Sequence, residues 1–460
     1  MKNFAFIFFF LVTGIQFFLV KIDVLVLSFF FLNYSILMII MYYHFFLEKS
    51  FSPFISAYLI FNILFFIITP LAQLSEMEEI SPKYLNTLPH KPFNTIIANI
   101  YIIIFNIIFF LSYLIFKNKN TNVKEYIIHK NLPFHILFIL FISLLVLLFN
   151  FDYIQEKLMT PTWKLKYDKA KSIKIVISKV LFSVPLAGIA LVVMYFKKNG
   201  KKNLNILIIS LSLLLFIFLI FLFKNPFMEK RSGLGPIYFC ILFLFFPKIF
   251  NTNIKTTLIL YFSLIVVMPV MAVFTHVNSS FSEVLQNPKI ITNSLSSEIL
   301  LSNFNTINFD AYINFIATID YVSNKGFSLG EQLLSAFLFF IPRSIWKTKP
   351  NTSGEFIGDY LIDKYDFWFN NISNPFVSEA YLNFGLIGII IFAILLAYFF
   401  SKMLLFLKSD DILKKNLAFF IAIHMIYFLR GDFTNGFSQL ILVSFGIYII
   451  PKLSFLFFRK

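Results

Sequence analysis

One cysteine, Cys240, occurs in 460 residues and lies in an apolar run, which excludes an intrachain disulfide and a cysteine metal cluster. Charge is scarce as well: Asp, Glu, Lys and Arg make up 13% of the chain, against 59% hydrophobic and 20% aromatic residues. So long and so apolar a chain exceeds what one soluble core buries, and water-soluble globular classes are set aside. Also missing are a Walker-type phosphate loop, a dinucleotide glycine fingerprint, H-E-x-x-H, an EF-hand pattern and D-x-D, Asp410 and Asp411 being adjacent. No metal site and no cofactor is expected. Neither an internal repeat nor a Gly/Ser linker divides the chain.

What is there is a succession of apolar runs of roughly 17 to 24 residues, long enough to cross about 30 Å of hydrocarbon as helices. About twelve satisfy that length. Nine precede Thr275: Phe4–Val20, Val24–Leu47, Pro53–Leu71, Thr95–Phe116, Leu132–Phe151, Lys174–Phe196, Leu204–Phe223, Ile237–Phe250 and Thr256–Phe274. Three follow Glu379: Ala380–Phe400, Leu417–Leu429 and Phe437–Phe457. The first run lacks a small-residue cleavage site and leads directly into the second, so it is kept as a span. The fold class expected is an all-α polytopic membrane protein with a large external loop.

Orientation follows from the basic loops, because Lys and Arg near span ends resist translocation. Lys197, Lys198, Lys201 and Lys202 between spans six and seven, and Lys402, Lys408, Lys414 and Lys415 between ten and eleven, mark the cytoplasmic side. Alternation then puts Lys117–Lys130 and both termini in the cytoplasm. The formal charge of +16 is divided among many loops and not gathered on one surface, which argues against nucleic acid as a partner. One loop assigned outside, Asp152–Ser172, is nonetheless basic, with Lys157, Lys164, Lys166, Lys169 and Lys171. It meets anionic lipid headgroups or attracts an anionic lipid-linked substrate.

The chain therefore divides into a nine-span part (1–275), an external loop (276–379) and three closing spans (380–460), integrated as one domain. Within the loop, Phe309–Val322 has helical apolar spacing. Leu333–Trp346 is too short to span and reads as an interfacial or re-entrant helix.

Arginine occurs only at positions 231, 343, 430 and 459, against 35 lysines. Arg231, Arg343 and Arg430 fall beside spans on the outer side. Either each snorkels to water or together they offer paired donors to a diphosphate. Trp346 and Lys347 follow Arg343 on one helical face if the helix continues past Pro342. Lys224 lies close to Arg231 in the chain. Glu379 and Asn383, four apart in "NPFVSEAYLNFGLIGIIIF", share a helix face near its N-terminus, and Gly385 and Gly388 let another helix approach. They form a helix start and a close contact, or a general base and a substrate anchor. Trp163, Trp346 and Trp368, all in outer loops, form an interfacial belt or stack on sugars. His276 is an interfacial residue able to take a proton near neutral pH, and His424, inside span eleven, a partner in a helix–helix hydrogen bond. Asp310, Asp320, Glu355 and Asp359 are solvated loop acids or hydroxyl activators.

Between Phe340 and Phe392, "IPRSIWKTKP" followed by the E-A-Y-x-N-F-G-x-x-G element, after nine spans and before three, resembles the bacterial O-antigen polymerases. The resemblance implies a metal-independent glycosyltransferase in the bacterial inner membrane, active on its external face. It would move a growing glycan from undecaprenyl diphosphate onto the next lipid-linked repeat unit. It also implies membrane lipids, a chain-length regulator and a flippase as partners. On that basis Arg231, Arg343 and Arg430 hold the diphosphate, Glu379 activates the acceptor hydroxyl, and Asn383, Trp346, Lys347, Lys224 and His276 bind substrate. An O-antigen ligase, for which His276 would serve, and a lipid-linked oligosaccharide flippase are the alternatives.

Overall fold

The computed structural model describes residues 2–79, 91–118, 131–159, 179–198, 205–226, 229, 231–267, 286–287, 289, 304 and 307–458. His276, Trp163 and Lys164–Lys171 lie outside the described residues. In chain order the helices are α1 (Lys2–Leu19), α2 (Val24–Leu47), α3 (Pro53–Ser75), α4 (Pro92–Lys117), α5 (Leu132–Phe149), α6 (Phe151–Met159), α7 (Lys179–Lys197) and α8 (Ile206–Phe223). They continue as α9 (Arg231–Phe245), α10 (Asn253–Val267), α11 (Ala311–Lys325), α12 (Glu331–Phe337), α13 (Ser353–Tyr365), α14 (Phe376–Lys408), α15 (Ile412–Arg430) and α16 (Phe433–Phe457). Among the described residues there is no strand.

Ten of these helices are long and apolar enough to cross a membrane: α1 to α5, α7, α8 and α14 to α16. The protein is a multi-pass, all-helical membrane protein. Helix α3 is buried from Pro53 to Leu71, and α7 and α15 over most of their length, so these form the centre of the bundle. The peripheral helices are as apolar but turn Leu207, Leu214 and Phe218 of α8, and Phe18 of α1, outward. A helix apolar all round is stable either inside the bundle or against lipid.

Three of the few acids are used locally as caps. Asp23 accepts from Leu25 N at 2.8 Å, Asp411 from Leu413 N at 3.0 Å and Asp432 from Asn435 N at 2.9 Å. Each satisfies an orphan donor at a helix start, where negative charge is also favoured.

One expected span is shorter than its apolar run, and another is described only in part. The run Ile237–Phe250 breaks at Phe246 (φ −127°, ψ 60°), because Pro247 disfavours a helical residue before it; α9 ends at Phe245 and a 3₁₀ turn follows. Of the run Thr256–Phe274, the described part is α10, ending at Val267.

The loop also departs from expectation. Helix α11 is not solvated or interfacial: Tyr312, Phe315 and Ile316 belong to the buried core. Tyr312 Oη donates to Thr95 O of α4 at 3.0 Å and accepts from Asn99 Nδ2 at 2.7 Å. The helix expected over Leu333–Trp346 stops at Phe337, and turns follow through Lys349. Pro342 cannot donate and its ring disfavours helix at Ile341, so Arg343, Trp346 and Lys347 do not share a helical face. Lys349 closes the helix end instead, with Nζ donating to the carbonyls of Leu338 (3.1 Å), Phe339 (3.0 Å) and Ile341 (3.0 Å).

Helix α14 is broken at Phe384 (φ −141°) and Gly385 (φ +58°, ψ −140°). A Cβ on Gly388 would stand 2.1 Å from Ala380 O, so Gly388 lets the helix fold against its own previous turn. The two glycines were expected to admit a neighbouring helix; their tightest contact includes their own chain. The break frees Leu382 O, which accepts from Ser328 N at 2.9 Å, and Phe327 covers Gly385.

Candidate functional site

The break in α14 makes its first two turns a separate piece, Phe376–Asn383, packed on α11 and carrying Glu379. The preceding segment fits closely on α13, where a Cβ on Gly354 or Gly358 would stand 2.2 Å from Ile372 O or Asn370 O. Residues 370–383 therefore run as a polar ribbon between α11 and α13. Ser378 Oγ donates to Thr318 Oγ1 at 2.8 Å, and Thr318 Oγ1 is 3.2 Å from Asn374 Oδ1. Asn314 Nδ2 donates to Ser373 O at 2.7 Å.

Glu379 is buried in this ribbon. Asn383 Nδ2 donates to Glu379 O at 2.8 Å and to Oε1 at 3.3 Å, while Asn383 Oδ1 accepts from Gly330 N at 3.0 Å. Asn383 thus orients the carboxylate and ties it to the start of α12. Ser353 and Asn374 lie beside the same carboxylate. They stand outside hydrogen-bond geometry, so Glu379 Oε2, Ser353 Oγ and Asn374 Nδ2 are each buried without a partner. These three atoms are the unsaturated part of the ribbon, and they lie around one carboxylate.

Arg430 ends α15 and pairs with Asp310, Nη2 to Oδ1 at 3.1 Å. Asp310 also accepts from Ser373 Oγ (2.5 Å) and Ser373 N (3.3 Å), and the Phe65 ring lies 5.9 Å from the guanidinium. The arginine is fixed in direction but stays partly exposed, its side chain 23% accessible. Asp432, two residues on, lies within electrostatic reach of Glu379, Glu355 and Lys179. Burial pushes its carboxyl above the usual range, and bonds from Asn435 oppose that. Partial burial, then the adjacent Asp359, raises Glu355, while Arg343 pulls it down.

The other expected residues are placed as follows. Arg343 is exposed and folds back on its own loop, donating to Lys349 O (2.6 Å) and Asn351 Oδ1 (2.7 Å). Trp346 is half-buried near Lys349, Lys347 is exposed, and Trp368 stacks on Phe369 with centroids 5.1 Å apart. Lys224 is paired with Glu229 at 3.4 Å and lies over the Phe182 ring. Arg231 begins α9, and its side chain is outside the described residues.

Asp320 is not a solvated acid. Its Oδ2 accepts from Tyr360 Oη (2.6 Å), Tyr365 Oη (2.7 Å) and Lys364 Nζ (3.2 Å), pinning α13 to α11. Burial alone would raise its pKa, but these donors prevail and hold it below the usual carboxylate range. His424 is fully buried, and its polar neighbour is the Gly436 backbone of α16, an approach between helices that falls short of full hydrogen-bond geometry. Ser353, Asn374, Asp432 and Lys179 were not singled out in the sequence. Only Lys179 carried a signal, as an ionisable residue within an apolar run.

Comparison of the chain with protein families, with curated proteins and with solved structures finds no match.

Proposed function

We propose that this protein is a polymerase of lipid-linked oligosaccharide repeat units, working at the loop-bearing end of the bundle on the external face of a bacterial inner membrane. The observation that carries the reading is Glu379: a buried carboxylate with one oriented oxygen and one unpartnered oxygen, in the field of Asp432, which follows Arg430 by two residues. Lys117, Lys197, Lys402, Lys408, Lys414 and Lys415 lie at the opposite ends of their helices, which supports a cytoplasmic assignment for that side and for both termini.

In this reading Arg430 and Arg343, with Arg231, hold the donor diphosphate and neutralise the charge that develops on it, an effect worth about 3 kcal/mol per donor group. The acceptor sugar's hydroxyl gives its proton to Glu379 as its oxygen bonds to the donor's anomeric carbon. The bond from that carbon to the phosphate oxygen breaks, and undecaprenyl diphosphate leaves with the electron pair. Asn383 acts by orienting Glu379.

The test is disruption of the gene in its host with the surface glycan resolved on gels. A long-chain ladder reduced to a single repeat unit is expected. Glycan that polymerises on its carrier yet never reaches its final acceptor would make the protein a ligase. Loss of every outward-facing unit would make it a flippase, and an unchanged ladder would sink the proposal.

A further inference from the structure

We propose that residues 326–346 form a docking surface for the bilayer itself, a ledge that rests on the lipid leaflet at the loop-bearing end of the bundle. The inference stands apart from the polymerase reading, because a bilayer surface is met whatever reaction the site performs. Six large apolar side chains of this segment are exposed: Phe327, Leu329, Leu334, Phe337, Phe340 and Ile345. Leu329 and Ile345 are the most open, at 76% and 77%. Leu333 and Ala336, on the inner side of α12, belong to the buried core instead. The outward display is imposed by the backbone, since Leu329 is held at φ +50°, which a bulky residue seldom adopts. So many apolar side chains together mark a contact surface.

The element is not the interfacial helix expected from the sequence: helix covers Glu331–Phe337, and turns follow. Turns that lie against hydrocarbon must satisfy their own backbone. These do so to an unusual degree. Lys349 Nζ takes the carbonyls of Leu338, Phe339 and Ile341, and Pro342 O accepts from Ile345 N and Trp346 N, both at 3.0 Å. Lys349 O accepts from Arg343 Nη1 at 2.6 Å, and Pro350 O from Ser335 Oγ at 3.0 Å. At the other end of the segment Ser328 N donates to Leu382 O at 2.9 Å and Gly330 N to Asn383 Oδ1 at 3.0 Å. The ledge is thereby fixed to the break in α14.

Position and charge select lipid as the occupant. Phe337 meets Phe433 and Phe437 of α16 edge-on, with centroids 5.9 and 5.2 Å apart. Ile441 and Phe445 follow Phe437 at intervals of four and are exposed, so the outward stripe of this membrane helix runs into the ledge. From Gln332 to Pro350 the chain carries Arg343, Lys347 and Lys349 and no acid. Arg343 and Lys347 are exposed and flank the half-buried Trp346. Cations beside an interfacial ring, bordering an apolar face, suit a layer of headgroup phosphates over acyl chains.

The test uses the full chain with one added cysteine, Leu329→Cys, Ile345→Cys or, at an exposed polar position of α13, Asp363→Cys. Each is labelled with nitrobenzoxadiazole and reconstituted in phosphatidylcholine–phosphatidylglycerol vesicles; the wild-type chain, whose Cys240 is fully buried, gives the background. Labels at 329 and 345 should emit to the blue and lose at least about half their intensity to lipid brominated near the headgroup end of its acyl chains, as expected about 5–10 Å into the interface. The label at 363 should do neither. Emission as in water at both 329 and 345 would overturn the proposal. A blue shift there that brominated lipid leaves unquenched would mean that protein covers the face, and would replace the bilayer by a second copy of the chain. Equal quenching at 363 would show the whole loop submerged and overturn the ledge as a distinct surface.

Discussion

The two ends of the helix bundle hold polar networks of opposite character. Thr95, joined to Tyr312 of the loop, and Lys117 mark the two ends of α4, about 33 Å apart at 1.5 Å per residue. At the Lys117 end, the Glu48 carboxylate takes His44 on one oxygen and Tyr113 (2.7 Å) and Lys117 on the other. His44 Nε2 meets Ser56 Oγ at 2.9 Å, and Asn253 takes Ser52 N at 2.8 Å while its own amide donates to His44 O and Ser50 O. Burial works to raise the Glu48 pKa, yet His44 and Lys117 hold it below the usual range. The side chains of Glu48, His44, Tyr113, Ser56 and Asn253 are all satisfied, and of the residues named here only Ser50 keeps an unpartnered buried hydroxyl. At the loop end Glu379, Ser353 and Asn374 are equally buried, and each keeps an unpartnered atom. A saturated network fixes helices to one another; an unsaturated one stores binding capacity at some cost in stability.

Substitutions at the two carboxylates should break that contrast in opposite ways. Glu48→Ala leaves buried partners unpaired and is expected to cost about 3–5 kcal/mol, read as a lowered thermal midpoint in detergent and reduced protein level in the membrane. Glu379→Gln keeps the shape and the bond to Asn383, and should lower chain extension at least about a hundredfold on the glycan gel at normal midpoint. A normal ladder from that variant would strip Glu379 of its role. If instead Glu379→Gln melts early and Glu48→Ala does not, the contrast itself is wrong.

Smaller effects sharpen it. Gly385→Ala forces a side chain into φ +58° and against Phe327, whose ring carbon would be 2.9 Å away, so about 1–2 kcal/mol of stability should be lost. Chain extension should fall further than stability, because the break aims Glu379. Asp320 governs the acid limit of the loop: its folded pKa lies below the unfolded value of about 3.9. Its contribution is therefore complete above that value and disappears as pH drops through the folded one. Asp320→Asn should flatten the acid side of the stability curve measured by thermal unfolding. Lys347→Ala, at an exposed position, should change stability by less than about 0.5 kcal/mol, so any loss of extension there would report binding.

Much of the fold was legible in composition and run length, because a bilayer demands helices that satisfy their own backbone. The stretch from Asn374 to Phe392 was also legible as unusual, since a carboxylate and an amide four apart in an apolar run are costly to bury unless the fold or its chemistry requires them. Its conformation was not. That Gly385 breaks its own helix depends on Phe327 and Ser328 filling the break, more than fifty residues earlier.

By itself the sequence determined the all-helical membrane architecture, the ten long apolar helices and the caps at Asp23 and Asp411, all products of local length, hydropathy and neighbouring N–H groups. Only the tertiary structure decided which polar residues stand complete and which stand open. Arg430 finds Asp310 at a separation of 120 residues and Lys179 finds Ser438 at 259. The reason is that an ionisable group's meaning rests on the partners within a few ångströms, and in a bundle those partners come from helices far apart in the chain.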